Sequence, residues 1–179
     1  MREWTTISEK VVFSEPPFIK VVRQVVDIGN HHLVDNFFQV HLRSFVVAVP
    51  VLKNGKILTI RQYKHGPGRV SLTFPAGFVE PDEHPEMACR RELLEETGLQ
   101  PGETIHLGEF VDNGNQRGCV GNYYIQRDCR TVSTPDSGDL EEMILEEKSV
   151  QEVDEAFANG EIAITHHAAV WTMARLRGL

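Results

Sequence analysis

The stretch from Gly77 to Leu99 constrains this chain more than any other. Five carboxylates fall between Glu80 and Glu92, and two more follow at Glu95 and Glu96. Pro85 marks the start of a helix, because at the first helical position its missing N–H would have had no partner. Gly98 marks the end, since glycine takes the left-handed conformation past a helix C-terminus without strain. Within that helix Glu92, Glu95 and Glu96 stand at i, i+3 and i+4 and share one face. Like charges at those spacings repel by about 0.2–0.5 kcal/mol per pair. On the residues alone two explanations stay open. Glu, Arg and Leu are helix formers, so Arg90 to Glu96 reads as a solvated helix face. A divalent cation seated on the face explains the crowding as well, because hard ions such as Mg²⁺ prefer carboxylate oxygens.

Composition bounds the setting of this helix. The 179 residues are 41% hydrophobic and 25% charged, material for one domain, or one domain and an appendage, with a buried core. A formal net charge of −8 argues against non-specific binding to nucleic acid or to an anionic membrane. A phosphate site here must gather local positive charge from Arg, Lys or metal ions. The longest apolar run, Phe45 to Leu52, is eight residues, far short of a membrane span. Met1 to Trp4 lead into polar residues rather than a signal segment. Three cysteines (Cys89, Cys119 and Cys129) are an odd number without metal-type spacing, and point to a reducing cytoplasm. Cys89, inside the helix, is expected to pack against the core.

Before the helix the chain reads as strands. Lys10 to Phe13, Phe18 to Val26 and Phe37 to Leu42 are rich in Val, Phe and Ile, and are broken at Pro16-Pro17 and at Ile28-Gly29-Asn30. His31-His32 reads as a turn, since neighbours on a strand face opposite ways. Phe45 to Leu52 is continuous enough for a strand buried on both faces. Asn54-Gly55 predicts a tight hairpin leading into Ile57 to Tyr63. Gly66 to Gly68 reads as a loop and Val70 to Phe74 as a strand. Beyond the helix, Glu103 to Val111 reads as a strand and Asp112 to Gly121 as a glycine-rich loop. Asn122 to Arg127 and Leu140 to Glu147 read as strands. Ser149 is placed as the N-cap of a helix to Ala158, and Thr165 as the cap of a last helix to Leu176. His166 and His167 are expected on its solvent face.

Gly77, five residues, Glu83, seven residues, Arg91-Glu92-Leu93, one residue, Glu95-Glu96, one residue and Gly98-Leu99 resemble the Nudix box, with nine specified positions filled over 23 residues. The resemblance implies an α+β fold: a Nudix-type α/β/α sandwich with a mixed central sheet at 45–179, after a small β-rich extension at 1–44. It implies Mg²⁺- or Mn²⁺-dependent hydrolysis of a nucleoside diphosphate linked to another moiety. Glu92, Glu95 and Glu96 would bind the metal, joined by the carbonyl of Ala76. Arg91 would orient the glutamates, Glu83 would hold that arrangement, and Gly77 and Gly98 would permit the backbone turns. In the family the catalytic base often comes from a mobile loop. Asp139-Leu140-Glu141-Glu142 is the best-placed stretch, with Glu141 or Glu142 ahead of Asp139; it reads equally as an acidic turn.

Within the family the chain looks most like the ADP-ribose and nucleotide-sugar pyrophosphatases. It has the N-terminal strands, a Phe74-Pro75-Ala76-Gly77 lead-in, and Arg61-Gln62-Tyr63-Lys64, similar to a Gln-Tyr-Arg element that contacts phosphate or ribose. The same likeness implies a homodimer, with Phe18, Arg23, Phe37 or Phe38 placed to reach substrate. Lys64 stands where that element has Arg, and Lys offers no bidentate fork. No proline occurs between Pro101 and Pro135, where the ADP-ribose subgroup tends to have one. Asn115 and Arg117, in an amide-rich stretch, suit sugar hydroxyls and phosphate. The expected partner is a nucleotide-sugar type small molecule. The alternatives are a nucleoside triphosphate pyrophosphatase and a non-catalytic nucleotide-binding domain.

Overall fold

The computed structural model describes residues 2–30, 32–138, 140 and 142–179. Among them the chain forms, in order, β1 (Thr5–Glu15), β2 (Ile19–Asp27), β3 (Leu33–Leu42), β4 (Phe45–Leu52), β5 (Ile57–Lys64), β6 (Arg69–Thr73), β7 (Ala76–Phe78), α1 (Pro85–Thr97), β8 (Leu99–Gln100), β9 (Glu103–Asn113), β10 (Arg117–Thr131), β11 (Met143–Lys148), α2 (Val150–Ala158) and α3 (Thr165–Leu176). They fall into two units: residues up to Ser44 with Phe110–Val120, and Phe45–Glu109 with Gly121–Leu179. No described helix is long and apolar enough to cross a membrane.

In the first unit β1, β2 and β3 form an antiparallel meander, and the start of β10 pairs parallel with β3 at Arg117↔Val40 and Gly118↔His41. The strands outrun their apolar runs because ladder hydrogen bonds carry polar residues along with them. β1 is exposed along its whole length, while Val22 and Val26 of β2 are buried. The loop expected at 112–121 is a hairpin tip of only three residues. β9 extends to Asn113 and β10 resumes at Arg117. Asn113 closes the turn itself, its side-chain oxygen accepting the amides of Asn115 and Gln116, both at 2.9 Å. The glycine that suggested loop, Gly118, lies in the strand with φ +71°, close over Asp112.

The second unit is built on β4, whose residues are buried up to Val51. β10 runs parallel to it from Gly121↔Phe45, and β5 and β7 pair with it antiparallel. β5 in turn carries β6 and β11, both antiparallel. The sheet is therefore mixed. Successive residues of a strand face opposite ways, and β4 uses both faces. Val46 and Ala48 cluster with Ala88 and Cys89 of α1, while the Phe45 ring meets His166 of α3 at 4.6 Å. Helices thus cover both sides, the expected α/β/α arrangement, and Cys89 is buried as expected.

α2 begins at Ser149 with a complete capping box, Ser149 and Glu152 exchanging hydrogen bonds. α3 starts differently from the sequence expectation. Ile164 is its N-cap, with no side-chain hydrogen bond, and Thr165 is already helical. Packing of Val170, Trp171 and Ala174 into the core holds this end in place of a cap.

α1 ends at Gly98 with φ 70°, its N–H donating to Leu94 O at 2.8 Å. A Cβ there would stand 2.1 Å from the Ser133 carbonyl oxygen. Gly98→Ala is expected to destabilise the protein by at least about 1–3 kcal/mol, the usual cost of a strained backbone. Denaturant unfolding of the variant against wild type measures it.

Candidate functional site

α1 is set by its ends. The His84 side chain accepts the Glu86 amide at 3.3 Å and Pro85 occupies the first turn, as its sequence position predicts. Ala88, Cys89, Leu93, Glu96 and Thr97 turn inward. One of these is a carboxylate, so burial of Glu96, at 5% exposure, requires a partner. The Ala76 N–H supplies it, donating to Glu96 Oε2 at 3.1 Å.

The neighbouring position is tighter still. A Cβ on Gly77 would lie 2.0 Å from Glu92 Cδ. Only glycine lets that carboxylate lie against the strand. Consecutive residues of β7 thus seat two of the three box glutamates.

Arg91 binds the rest. Its Nε and Nη2 grip the two oxygens of Glu83 at 3.0 and 2.9 Å. Nη1 donates to Glu92 at 2.7 Å and to Glu95 at 3.0 Å, and Nη2 donates also to the Phe78 carbonyl at 3.1 Å. All five N–H groups of the guanidinium are in use. Hydrogen bonding from Arg91, ahead of the Glu80 amide, holds the Glu83 carboxyl below its ordinary range. The same Glu83 bond, ahead of those from Glu92 and Glu95, raises the pKa of Arg91.

Whether this set suits a divalent cation follows from its chemistry. Glu83, Glu92 and Glu95 meet one guanidinium and Glu96 meets the Ala76 amide, four carboxylates that make an all-oxygen, negatively charged set of donors. The Ala76 carbonyl fits the same set. Val47 stands opposite Ala76, and Ala48 N–H donates to the Pro75 carbonyl at 3.0 Å. Ala76 is therefore at a non-hydrogen-bonded ladder position, its amide turned from β4 toward Glu96. In an extended strand the carbonyl of a residue points to the same side as its N–H, hence also toward α1. Among the described residues no three acidic, imidazole or thiol groups stand together as a ready cation cage. Glu92 and Glu95 are turned onto Arg91 instead. The donors fit a hard cation, with Arg91 as their resting partner.

The other sequence candidates are distributed differently. Arg61 on β5 donates to Glu146 of β11 through Nε and Nη2, and to Glu161 at 3.0 Å. Lys64 ends β5, half-buried. Glu142 is exposed one residue before β11. Asp139 and Glu141 lie outside the described residues. Asn115 and Arg117 belong to the first unit and are exposed at its hairpin tip. Arg23 of β2 is held by Asp35, with 3.1 Å between charges.

One residue near the box was misplaced by the sequence. His167 is not on a solvent face. It is 2% exposed, and its Nδ1 accepts the Phe74 amide at 3.2 Å. The signal was available: His167, Val170, Trp171 and Ala174 form an i, i+3, i+4, i+7 stripe, and all four are buried. Burial first, then the nearby charges of His166 and Lys64, hold the imidazole well below 6.5.

With this geometry in view, comparison with known proteins identifies the family. The NUDIX domain pattern matches residues 41–170, and the chain belongs to that family. A segment of 70 residues is 42% identical to the ADP-sugar pyrophosphatase of Mus musculus, covering 37% of this chain and 32% of that protein. A segment of 65 residues is 40% identical to the ADP-ribose pyrophosphatase of Bacillus subtilis (strain 168), covering 36% of this chain and 35% of that one. The matches thus span about a third of the length of these curated relatives. A crystal structure described as an ADP compounds hydrolase superposes with a TM-score of 0.81 at 16% identity, covering 98% of this chain and 94% of that one. This last likeness concerns the fold.

Two outcomes are expected from the site. Arg91→Lys keeps the charge but loses the fork, and should lower unfolding free energy by about 1–2 kcal/mol, measured by urea denaturation. His167 adds a pH dependence. Below pH 6.5 the unfolded chain takes a proton that the buried imidazole refuses. Stability contributed by neutral His167 is whole above that pH and falls as pH drops, by up to about 1.4 kcal/mol per unit. The difference between wild type and His167→Asn, followed by denaturant midpoints from neutral to acidic pH, should show that slope in the wild type alone.

Proposed function

We propose that this protein hydrolyses the pyrophosphate bond of a nucleoside diphosphate linked to a sugar, of the ADP-ribose or ADP-sugar type, with Mg²⁺ or Mn²⁺. The observation that carries the reading is the seating of Glu92 and Glu96 on Gly77 and Ala76, with Glu95 joined to Glu92 through Arg91. The names of the two partial relatives support the substrate class.

A pyrophosphate repels an incoming nucleophile with its own charge. The divalent cation, when bound, neutralises that charge and lowers the pKa of water. Glu92, Glu95, Glu96 and the Ala76 carbonyl would hold it. The guanidinium of Arg91 orients Glu92 and Glu95, and Glu83 orients Arg91. The acidic stretch ending at Glu142 supplies the carboxylate that removes the proton from attacking water, with Glu141 or Glu142 as base and Asp139 behind them. Water adds to one phosphorus, the bridging P–O bond breaks, and a nucleoside monophosphate and a sugar phosphate leave. Lys64, Arg61, Asn115 and Arg117 are the proposed substrate contacts. Arg61 enters that role only by exchanging Glu146 or Glu161 for phosphate. A homodimer belongs to the same reading, supported by the exposed apolar side chains Ile7, Val11, Phe13 and Phe18 of the first unit.

The test is a nucleotide-sugar panel with Mg²⁺, products followed by ³¹P NMR. AMP and a sugar phosphate are expected, and Glu96→Gln should lower kcat/KM by about 100-fold or more while leaving the unfolding transition in place. Inorganic pyrophosphate from a nucleoside triphosphate would move the substrate class. Tight nucleotide binding without turnover would sink the enzyme reading.

A further inference from the structure

The run Phe74-Pro75-Ala76-Gly77 joins β6 to β7 and carries both the Ala76 carbonyl and the amide that seats Glu96. Pro75 has no N–H, so the run has few points by which the fold can hold it. Beside the ladder pairing of Gly77 with Val46 on β4, three hydrogen bonds do so. Ala48 N–H donates to the Pro75 carbonyl, Ala76 N–H donates to Glu96, and Phe74 N–H donates to His167 Nδ1. The first two come from β4 and α1. The third comes from α3, 93 residues further along the chain.

The bond fixes the state of the imidazole. An amide can only donate, so Nδ1 is the acceptor and the proton of the neutral ring is on Nε2. The ring is wholly buried, against Phe74 at 6.3 Å and His166 at 4.5 Å. The Phe74 side chain has a second partner, because Trp171 stacks on that ring at 5.9 Å and 19°. The division of labour is clear: Trp171 holds the side chain of Phe74, and His167 holds its backbone. A leucine at this position would be apolar like the core around it, but would leave the Phe74 amide without the His167 acceptor.

We propose that His167 is a positioning residue of the cation site: by accepting the Phe74 amide it sets the place of the Ala76 carbonyl and, through the Ala76 amide, of Glu96. This rests on the reading of the box as a cation site given above. It assigns to α3 a part in a site otherwise made of β7 and α1.

The test is Mn²⁺ affinity, by titration of the whole protein without substrate and detection of free Mn²⁺ by electron paramagnetic resonance. His167→Leu removes the acceptor. His167→Asn keeps an acceptor at nearly the same place. Losing a residue that orients a ligand weakens metal binding by about 10-fold or more, and that loss is expected for His167→Leu. His167→Asn is expected to stay within about twofold of wild type, a rescue that packing alone does not predict. Wild-type affinity in His167→Leu, or equal losses in both variants, overturns the proposal. If His167→Leu does not fold, His167→Asn decides alone: near-wild-type affinity supports the proposal and a tenfold loss overturns it. Glu96→Gln separates the two readings. If wild type binds Mn²⁺ and Glu96→Gln does not, the cation site stands whatever His167 does. If neither distinguishes itself, the cation-site reading falls and this one with it.

Discussion

One guanidinium holds the candidate site together. Arg91 lies among three carboxylates, Glu83, Glu92 and Glu95, that would repel one another without it, and all its donors are engaged. Its planar fork is what permits this, since a lysine ammonium cannot grip both Glu83 oxygens and still reach Glu92, Glu95 and the Phe78 carbonyl. Through these bonds the loop at 78–83 and the helix become one rigid piece. The crowded carboxylates are therefore tolerable.

The backbone shares the work. Glu92 and Glu96 are seated on adjacent residues of β7, one by the missing side chain of Gly77 and the other by the amide of Ala76. Both depend on β7 being a strand paired with β4, because only the ladder turns the Ala76 amide away from β4. The chemistry of the helix thus begins in the register of a three-residue strand. His167, from the last helix, reaches Phe74 just before that strand.

Two arginines show how similar residues take different roles. Arg91 finds Glu92 and Glu95 on its own helix and Glu83 eight residues back. Arg61 finds Glu146 and Glu161, 85 and 100 residues away, and ties β11 and the chain after α2 to β5. The first set is visible in spacing. The second appears only when β11 pairs with β5, so a cation read from sequence as a phosphate contact is found engaged with carboxylates.

The sequence by itself determined the box, its helix from Pro85 to the Gly98 cap, the buried strand β4, the Asn54-Gly55 hairpin and the Ser149 cap of α2. All of these rest on interactions within a few residues, where helix and turn geometry is set by spacing. It misread the tip at 114–116, because Asn113 closes a short turn where several glycines suggested a long loop. It misread Thr165 and His167, because α3 is held by core packing rather than by a cap. Only the tertiary structure decided that β10 runs parallel to β4, that residues 110–120 group with the N-terminal strands, and that the Phe74 amide meets an imidazole on α3. Those contacts join residues far apart along the chain, and no local periodicity encodes which distant partner a strand or a buried amide will meet.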